Sequence, residues 1–71
     1  MKTKQLKEKL IGEFKFMRDY ETWAAAFYRQ VAKEPDVENK KLGEVFLETA
    51  DDEIRHSQII QKIINIIANN L

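Results

Sequence analysis

The sequence contains no cysteine, one proline and two glycines, and each of these scarcities excludes a class of structure. Without cysteine, disulfide frameworks, thiolate metal sites and CxxC redox motifs are excluded. The shortage of proline and glycine argues against many short strands joined by turns and favours long helices. The 12 basic and 12 acidic side chains cancel, so we expect no nucleic-acid partner.

Long apolar runs are also missing. No stretch approaches the ~20 apolar residues of a membrane span, because Gln61, Lys62 and Asn65 interrupt the isoleucine-rich end. Residues 1–7 lack the apolar core of a signal peptide. We therefore expect a cytoplasmic protein with no membrane partner. The hydrophobic content of 44% excludes a disordered polyelectrolyte and fits one small folded unit.

Apolar residues recur at helical spacing in two segments of the chain. This periodicity predicts one helix from about residue 3 to 33 and a second from about 37 to 69. A turn is expected at 34–36, because Pro35 cannot continue a helix and Asp36 is a good N-cap. The predicted fold class is all-α, a single domain over all 71 residues that forms an antiparallel two-helix hairpin.

The predicted hairpin is too thin to bury its apolar residues. The main stripe of the first helix contains Leu6, Leu10, Phe14, Met17, Ala24, Tyr28 and Val31. The stripe of the second contains Leu42, Val45, Phe46, Thr49, Ile60, Ile63, Ile64 and Ile67. Further apolar residues, including Phe16, Tyr20, Trp23, Phe27 and Leu47, lie outside these stripes. We therefore predict an obligate homo-oligomer, a dimer or a multiple of dimers, in which two hairpins form a four-helix bundle.

Three polar side chains interrupt the apolar stripes at mid-length. Glu53 and His56 are three residues apart and so share one face of the second helix. Counted from the turn at 1.5 Å per residue, Glu53 lies about 26 Å along its helix and Glu21 about 21 Å along the first. The difference is within one helical turn, so all three side chains can meet at one level of the bundle.

Doubling this set by a two-fold axis gives four carboxylates and two imidazoles. These are the ligands of carboxylate-bridged di-iron and di-manganese bundles. We predict that Glu21, Glu53 and His56 are metal ligands, with the two Glu53 side chains bridging a pair of ions. The expected cofactor is two iron ions per dimer, and manganese or a mixed pair fits the same ligands. The remaining coordination positions are open to O2 or H2O2.

The segments Glu21-Thr-Trp-Ala-Ala-Ala-Phe-Tyr28 and Phe46-Leu-Glu-Thr-Ala-Asp-Asp-Glu53-Ile-Arg-His56 resemble the first half of the ferritin-like domain of rubrerythrins. In that family a helix Glu, a Tyr seven residues later and a Glu-x-x-His on the next helix occur in this order. The resemblance implies that Glu21, Glu53 and His56 bind iron. It also implies that Tyr28 is a hydrogen-bond donor behind these ligands, two turns along the same face.

A whole rubrerythrin also contains a second helix pair and a cysteine-ligated rubredoxin iron site, and this chain contains neither. Its plan is closer to half-ferritins such as encapsulated ferritins, which build a di-iron centre at a subunit interface. The resemblance thus implies a ferritin-like four-helix bundle made by two chains. The implied function is that of a ferroxidase or peroxidase-like di-iron oxidoreductase, which oxidises Fe²⁺ with O2 or peroxide.

Two other functions remain open from the residues themselves. A lone Glu53-x-x-His56 is a weak motif, and Tyr28 could be an ordinary core residue. Glu21 could instead turn outward, or pair with Arg18 or with a lysine of the second helix. The chain would then be a non-catalytic helical oligomerisation or adaptor module. A metal-binding storage protein without turnover is the other alternative.

Overall fold

The computed structural model describes residues 2–34 and 40–71, which form two long helices. Helix α1 spans Lys2–Ala32 and helix α2 spans Lys40–Asn70, 31 residues each. At 1.5 Å per residue each helix is about 46 Å long. Pro35 and Asp36, on which the predicted turn and N-cap depend, lie outside the described residues, as does the predicted start of the second helix at 37.

The two helices pack against each other along their whole length. The Tyr28 ring stacks on Phe46 at 6.0 Å, and the Arg18 guanidinium donates a 2.8 Å hydrogen bond to Oε1 of Gln61. From the first contact to the second, the residue number falls on α1, from 28 to 18, and rises on α2, from 46 to 61. The helices are therefore antiparallel. The predicted all-α hairpin is confirmed. Its extents of 56 × 14 × 10 Å show a single layer, two helices wide.

The fully buried side chains of the hairpin are small. Ala25 and Ala50 are fully buried, at 0% exposure, and Ala24, Ile60 and Ile64 complete the buried apolar set. Among the described residues, no large side chain is fully buried. Alanine lets two helix backbones approach closely, but it contributes little apolar area. One copy of the hairpin therefore has a narrow contact rather than a full core.

The predicted stripes point partly away from this contact. Leu6, Met17, Leu42 and Val45, all stripe residues, are each about half exposed, whereas Ala25 and Ala50 lie outside the predicted stripes. The apolar stripes are wider than the strip that one helix can cover, so their outer edges remain exposed. Neither helix of the described segments has a stretch long and apolar enough to cross a membrane.

Candidate metal centre

The structure brings together the three polar residues that interrupt the apolar stripes. Glu21 lies in the middle of α1, and Glu53 and His56 lie one turn apart in the middle of α2. One carboxylate oxygen from each Glu and one ring nitrogen of His56 all lie within 4.8 Å of one another. The His56 Nδ1 to Glu21 Oε2 distance is 3.8 Å, which is too long for a hydrogen bond.

The local packing explains why these side chains converge. Ala25 lies one turn after Glu21 and Ala50 about one turn before Glu53, and both are fully buried, so the site lies beside the buried part of the hairpin. Ser57, the buried neighbour of His56, donates its hydroxyl to the carbonyl of Ile54 at 2.7 Å. Its hydrogen-bond donor is thus used within α2, and the carboxylates gain no donor from it.

Glu21 is the least satisfied member of the group. Its side chain is 21% exposed, and its Oε2 is buried with no hydrogen-bond partner among the described residues. A buried carboxylate oxygen without a partner loses its hydration and gains nothing in return, which costs free energy. The arrangement therefore lacks a positively charged or proton-donating group at this point.

The Glu53 carboxyl is also perturbed by its neighbour. Its pKa is raised above 4.5, first by the hydrogen bond with Glu21, then by burial and by the negative charge of Glu21. The nearby His56 lowers that pKa. A raised pKa is expected for a carboxyl beside a second acid, since two adjacent negative charges repel.

These observations fit a divalent cation. Two carboxylates and an imidazole are ligands that iron and manganese accept, and none of the three has another strong partner in the described chain. A cation would satisfy Oε2 of Glu21 and would favour the ionised form of Glu53. Three protein ligands leave most of the coordination sphere of one ion unfilled.

The open side of the site is largely apolar and accessible. The His56 side chain is 57% exposed. A groove of about 290 Å³, lined by Phe16, Met17, Tyr20 and Glu21, lies beside the carboxylate of α1. His56 is therefore accessible from outside the hairpin, and the groove adjoins the site at Glu21.

Arg18 does not pair with Glu21, so the alternative pairing considered from the sequence is wrong. Its guanidinium binds Asp19 at 3.0 Å and bridges to Gln61 of α2. The Arg18–Gln61 link was not predicted, because a polar pair 43 residues apart leaves no local sequence signal. The Tyr28 ring is half-buried between Phe27, at 5.9 Å, and Phe46, two turns from Glu21 on α1.

Comparison with known protein families gives one assignment. The family model described as rubrerythrin matches residues 17–71, which is more than three quarters of the chain. The chain belongs to the rubrerythrin family. The family resemblance predicted from the sequence is thus confirmed, and the matched segment of this rubrerythrin-family chain contains Glu21, Tyr28, Glu53 and His56. No curated protein and no solved structure matches it.

Proposed function

We propose that the chain is a di-iron carboxylate protein whose metal site forms between two copies and which oxidises Fe²⁺ with O2 or H2O2. The observation that carries the proposal is the convergence of Glu21, Glu53 and His56 within 4.8 Å, with one buried carboxylate oxygen left unpartnered. Membership of a family of iron proteins supports iron as the metal. Manganese or a mixed pair remains compatible with the same ligands.

A second copy supplies what one hairpin lacks. One chain offers two carboxylates and one imidazole, whereas a two-fold pair offers four carboxylates and two imidazoles. Four carboxylates neutralise two divalent cations, which compensates the burial of their charges. The apolar edge around the site, including half-exposed Met17 and Val45, gives the second hairpin a surface to cover. The proposed unit is a dimer with a ferritin-like four-helix bundle.

Each residue has a defined task in this proposal. Glu21, Glu53 and His56 hold the metal, and the bound cation favours the ionised form of the Glu53 carboxyl. A bound pair of iron ions supplies two electrons at once to the oxidant. Tyr28 donates a hydrogen bond toward the ligands, and its ring is held in place by Phe46. The apolar side chains of both copies exclude bulk water from the site.

Iron oxidation is the direct test. The purified protein is loaded with Fe²⁺ without oxygen and then mixed with air-saturated or peroxide-containing buffer, and the ferric absorbance is followed. We expect rapid oxidation by the parent and rates close to protein-free buffer for Glu53→Ala and His56→Ala. Glu48→Ala, an exposed acid on the same helix, is the control and should oxidise iron like the parent. Equal rates in all four proteins would reject the proposal.

A non-catalytic oligomerisation module is the second candidate, favoured by the many exposed apolar side chains of both helices. This function predicts that chelators and added metal leave the melting temperature unchanged, because no ion binds the native state. Metal binding without any oxidation would instead indicate a storage protein.

A further inference from the structure

Four aromatic side chains of α1 form an exposed stripe along the helix. Phe16, Tyr20, Trp23 and Phe27 are 73%, 58%, 61% and 48% exposed, respectively. Three of them pack on one another, with ring centroids 6.1 Å apart for Tyr20–Trp23 and 5.6 Å for Trp23–Phe27. We call these four residues the aromatic stripe. Because its rings are already ordered against each other, the stripe is a preformed apolar surface.

The aromatic stripe adjoins the surface around the metal centre, because Phe16 and Tyr20 also line the groove beside Glu21, but most of the stripe faces another direction. At 3.6 residues per turn, the centre of the stripe lies about 130° around α1 from Glu21. A second hairpin that closes over Glu21 and His56 therefore leaves Trp23 and Phe27 on the outer flank of α1. A partner that covers these two rings is additional to the partner required by the proposed function.

We propose that the aromatic stripe binds the same stripe of another copy of this chain, with the two α1 helices antiparallel. The stripe residues are spaced by four, three and four positions, a pattern that is symmetric about a point between Glu21 and Thr22. A two-fold axis at that point brings Tyr20 opposite Trp23 of the second copy and Phe16 opposite its Phe27. Alternating spacings of three and four are those of a coiled-coil seam.

The charges at the ends of the stripe favour the same arrangement. In this register Lys9 lies opposite Glu34 of the second copy, and the two-fold axis makes this contact twice. Both side chains are exposed; Lys9 continues the three-and-four spacing within α1, and Glu34 lies two residues beyond the end of the helix. A parallel pairing would instead place Lys9 opposite Lys9 and Glu34 opposite Glu34, which is repulsive. The charge pattern therefore selects the antiparallel pair.

The available area is sufficient for a specific contact. An aromatic side chain offers roughly 150–250 Å² for burial, so the exposed fractions amount to about 500 Å² per copy and about 1,000 Å² for the pair. This is near the lower limit of about 1,000–1,200 Å² for a specific interface, before the flanking side chains are counted. A second copy of the same helix therefore meets the requirement without any additional partner.

Two separate self-contacts would join the dimers into a larger assembly. Each dimer built around the metal centre displays two aromatic stripes, one per copy. Pairing of stripes between dimers gives a closed tetramer or ring of even copy number, depending on the angle between the two axes. The expected mass in solution is thus at least twice that of the dimer.

Cysteine cross-linking tests the register directly, because the parent sequence has no cysteine. In the proposed pair, Glu13 lies opposite Gln30 of the other copy. The double variant Glu13→Cys/Gln30→Cys should form a covalent dimer in mild oxidant. Glu13→Cys alone should not, because its two copies are about 26 Å apart along the helix axis. Lys15→Cys/Gln30→Cys is the control, since Lys15 lies off the stripe and should not link.

Two results of that experiment would overturn the proposal. Cross-linking of Glu13→Cys to itself would show a parallel pair. Absence of a cross-link in the double variant, at a concentration where the parent is oligomeric, would show that the stripes do not meet in this register.

The mass in solution, measured by sedimentation, separates this proposal from the proposed function. We expect Trp23→Glu to reduce the assembly to the dimer, which still binds iron. An unchanged mass in Trp23→Glu would overturn the stripe contact, whatever the iron content. A parent dimer that becomes a metal-free monomer in Trp23→Glu would instead support the stripe contact and reject the metal-centred dimer.

Charge reversal provides a variant that does not depend on the aromatic packing. Lys9→Glu places acid opposite acid and should raise the protein concentration required for assembly at least tenfold. Lys9→Glu/Glu34→Lys restores opposite charges and should recover the parent assembly. Since both residues are exposed, neither change threatens the fold of the hairpin. Failure of the double variant to recover the mass lost in Lys9→Glu would contradict the register.

Discussion

Replacing Glu53 by Gln should stabilise the metal-free protein and at the same time remove its stabilisation by metal. Oxygens of Glu21 and Glu53 lie within 4.8 Å of each other. Two unit charges at that separation repel by about 1 kcal/mol in water and by about 3 kcal/mol at an effective dielectric constant of 20. We therefore expect Glu53→Gln to raise the free energy of unfolding by about 1–3 kcal/mol where both carboxylates are ionised.

The assay is thermal unfolding followed by circular dichroism after removal of metal with a chelator. For a chain of this size, each 1 kcal/mol corresponds to about 4–8 °C in the melting temperature. Parent and variant are compared at one protein concentration, because the stability of an oligomer depends on concentration. Glu48→Gln, an exposed acid on the same helix, is the matched control and should change stability by no more than about 0.5 kcal/mol.

A failure of Glu53→Gln to stabilise the metal-free protein would rule out repulsion between the Glu21 and Glu53 carboxylates. A metal-free Glu53→Gln protein that melts at or below the parent temperature would mean that the Glu53 carboxylate is stabilised by its protein neighbours. The paired acids would then be an ordinary hydrogen-bonded pair, and their convergence would no longer indicate a cation site.

Three further predictions concern pH, metal and packing. The folded-state pKa of Glu53 lies above the ordinary 4.5, so between these two pKa values the metal-free folded protein binds a proton that the unfolded chain has released. The free energy of unfolding of the metal-free protein should therefore fall as pH rises through this range, as measured by urea unfolding at a series of pH values. Fe²⁺ or Mn²⁺ at about 100 times its dissociation constant should raise the free energy of unfolding by about 2.7 kcal/mol per site, and His56→Ala should abolish this gain in the same titration. Ala50→Leu should lower the free energy of unfolding in urea by about 1–3 kcal/mol, because the Ala50 side chain is fully buried and a larger one has no room. Ala68→Leu on the exposed end of α2 should leave it nearly unchanged.

The hairpin could be predicted because its signals are local and repeated. Apolar residues recur with the helical period over about thirty residues in each half, and one proline separates the halves. The level of the site followed from the same geometry, since counting 1.5 Å per residue from the turn placed Glu21 and Glu53 within one helical turn. The structure brings their oxygens and the His56 ring together.

The exact face of contact could not be predicted from hydrophobicity alone. Ala25 and Ala50 are the most deeply buried of the described residues, yet alanine gives a weak hydrophobic signal. Leu6 and Met17 give a strong signal but lie half exposed at the edge of the hairpin. A hydrophobic stripe shows which residues avoid water in the complete assembly, and it does not distinguish contacts within one chain from contacts between chains.

The perturbation of the two carboxyls also required the structure. The sequence shows that Glu21 interrupts an apolar stripe, but it does not show that one of its oxygens is buried without a partner. Nor does it show that the hydrogen bond with Glu21 raises the pKa of Glu53. Both effects depend on the distance between side chains from different helices, and such distances are set by packing.

The most direct test of the metal centre is anomalous diffraction at the iron edge from crystals grown anaerobically with Fe²⁺. We expect two iron peaks at the junction of two chains, each beside Glu21, Glu53 and His56. Crystals of Glu53→Gln grown in the same way should show neither peak. Iron peaks elsewhere, or none in the parent while the three side chains turn outward into solvent, would rule out a metal centre at these residues.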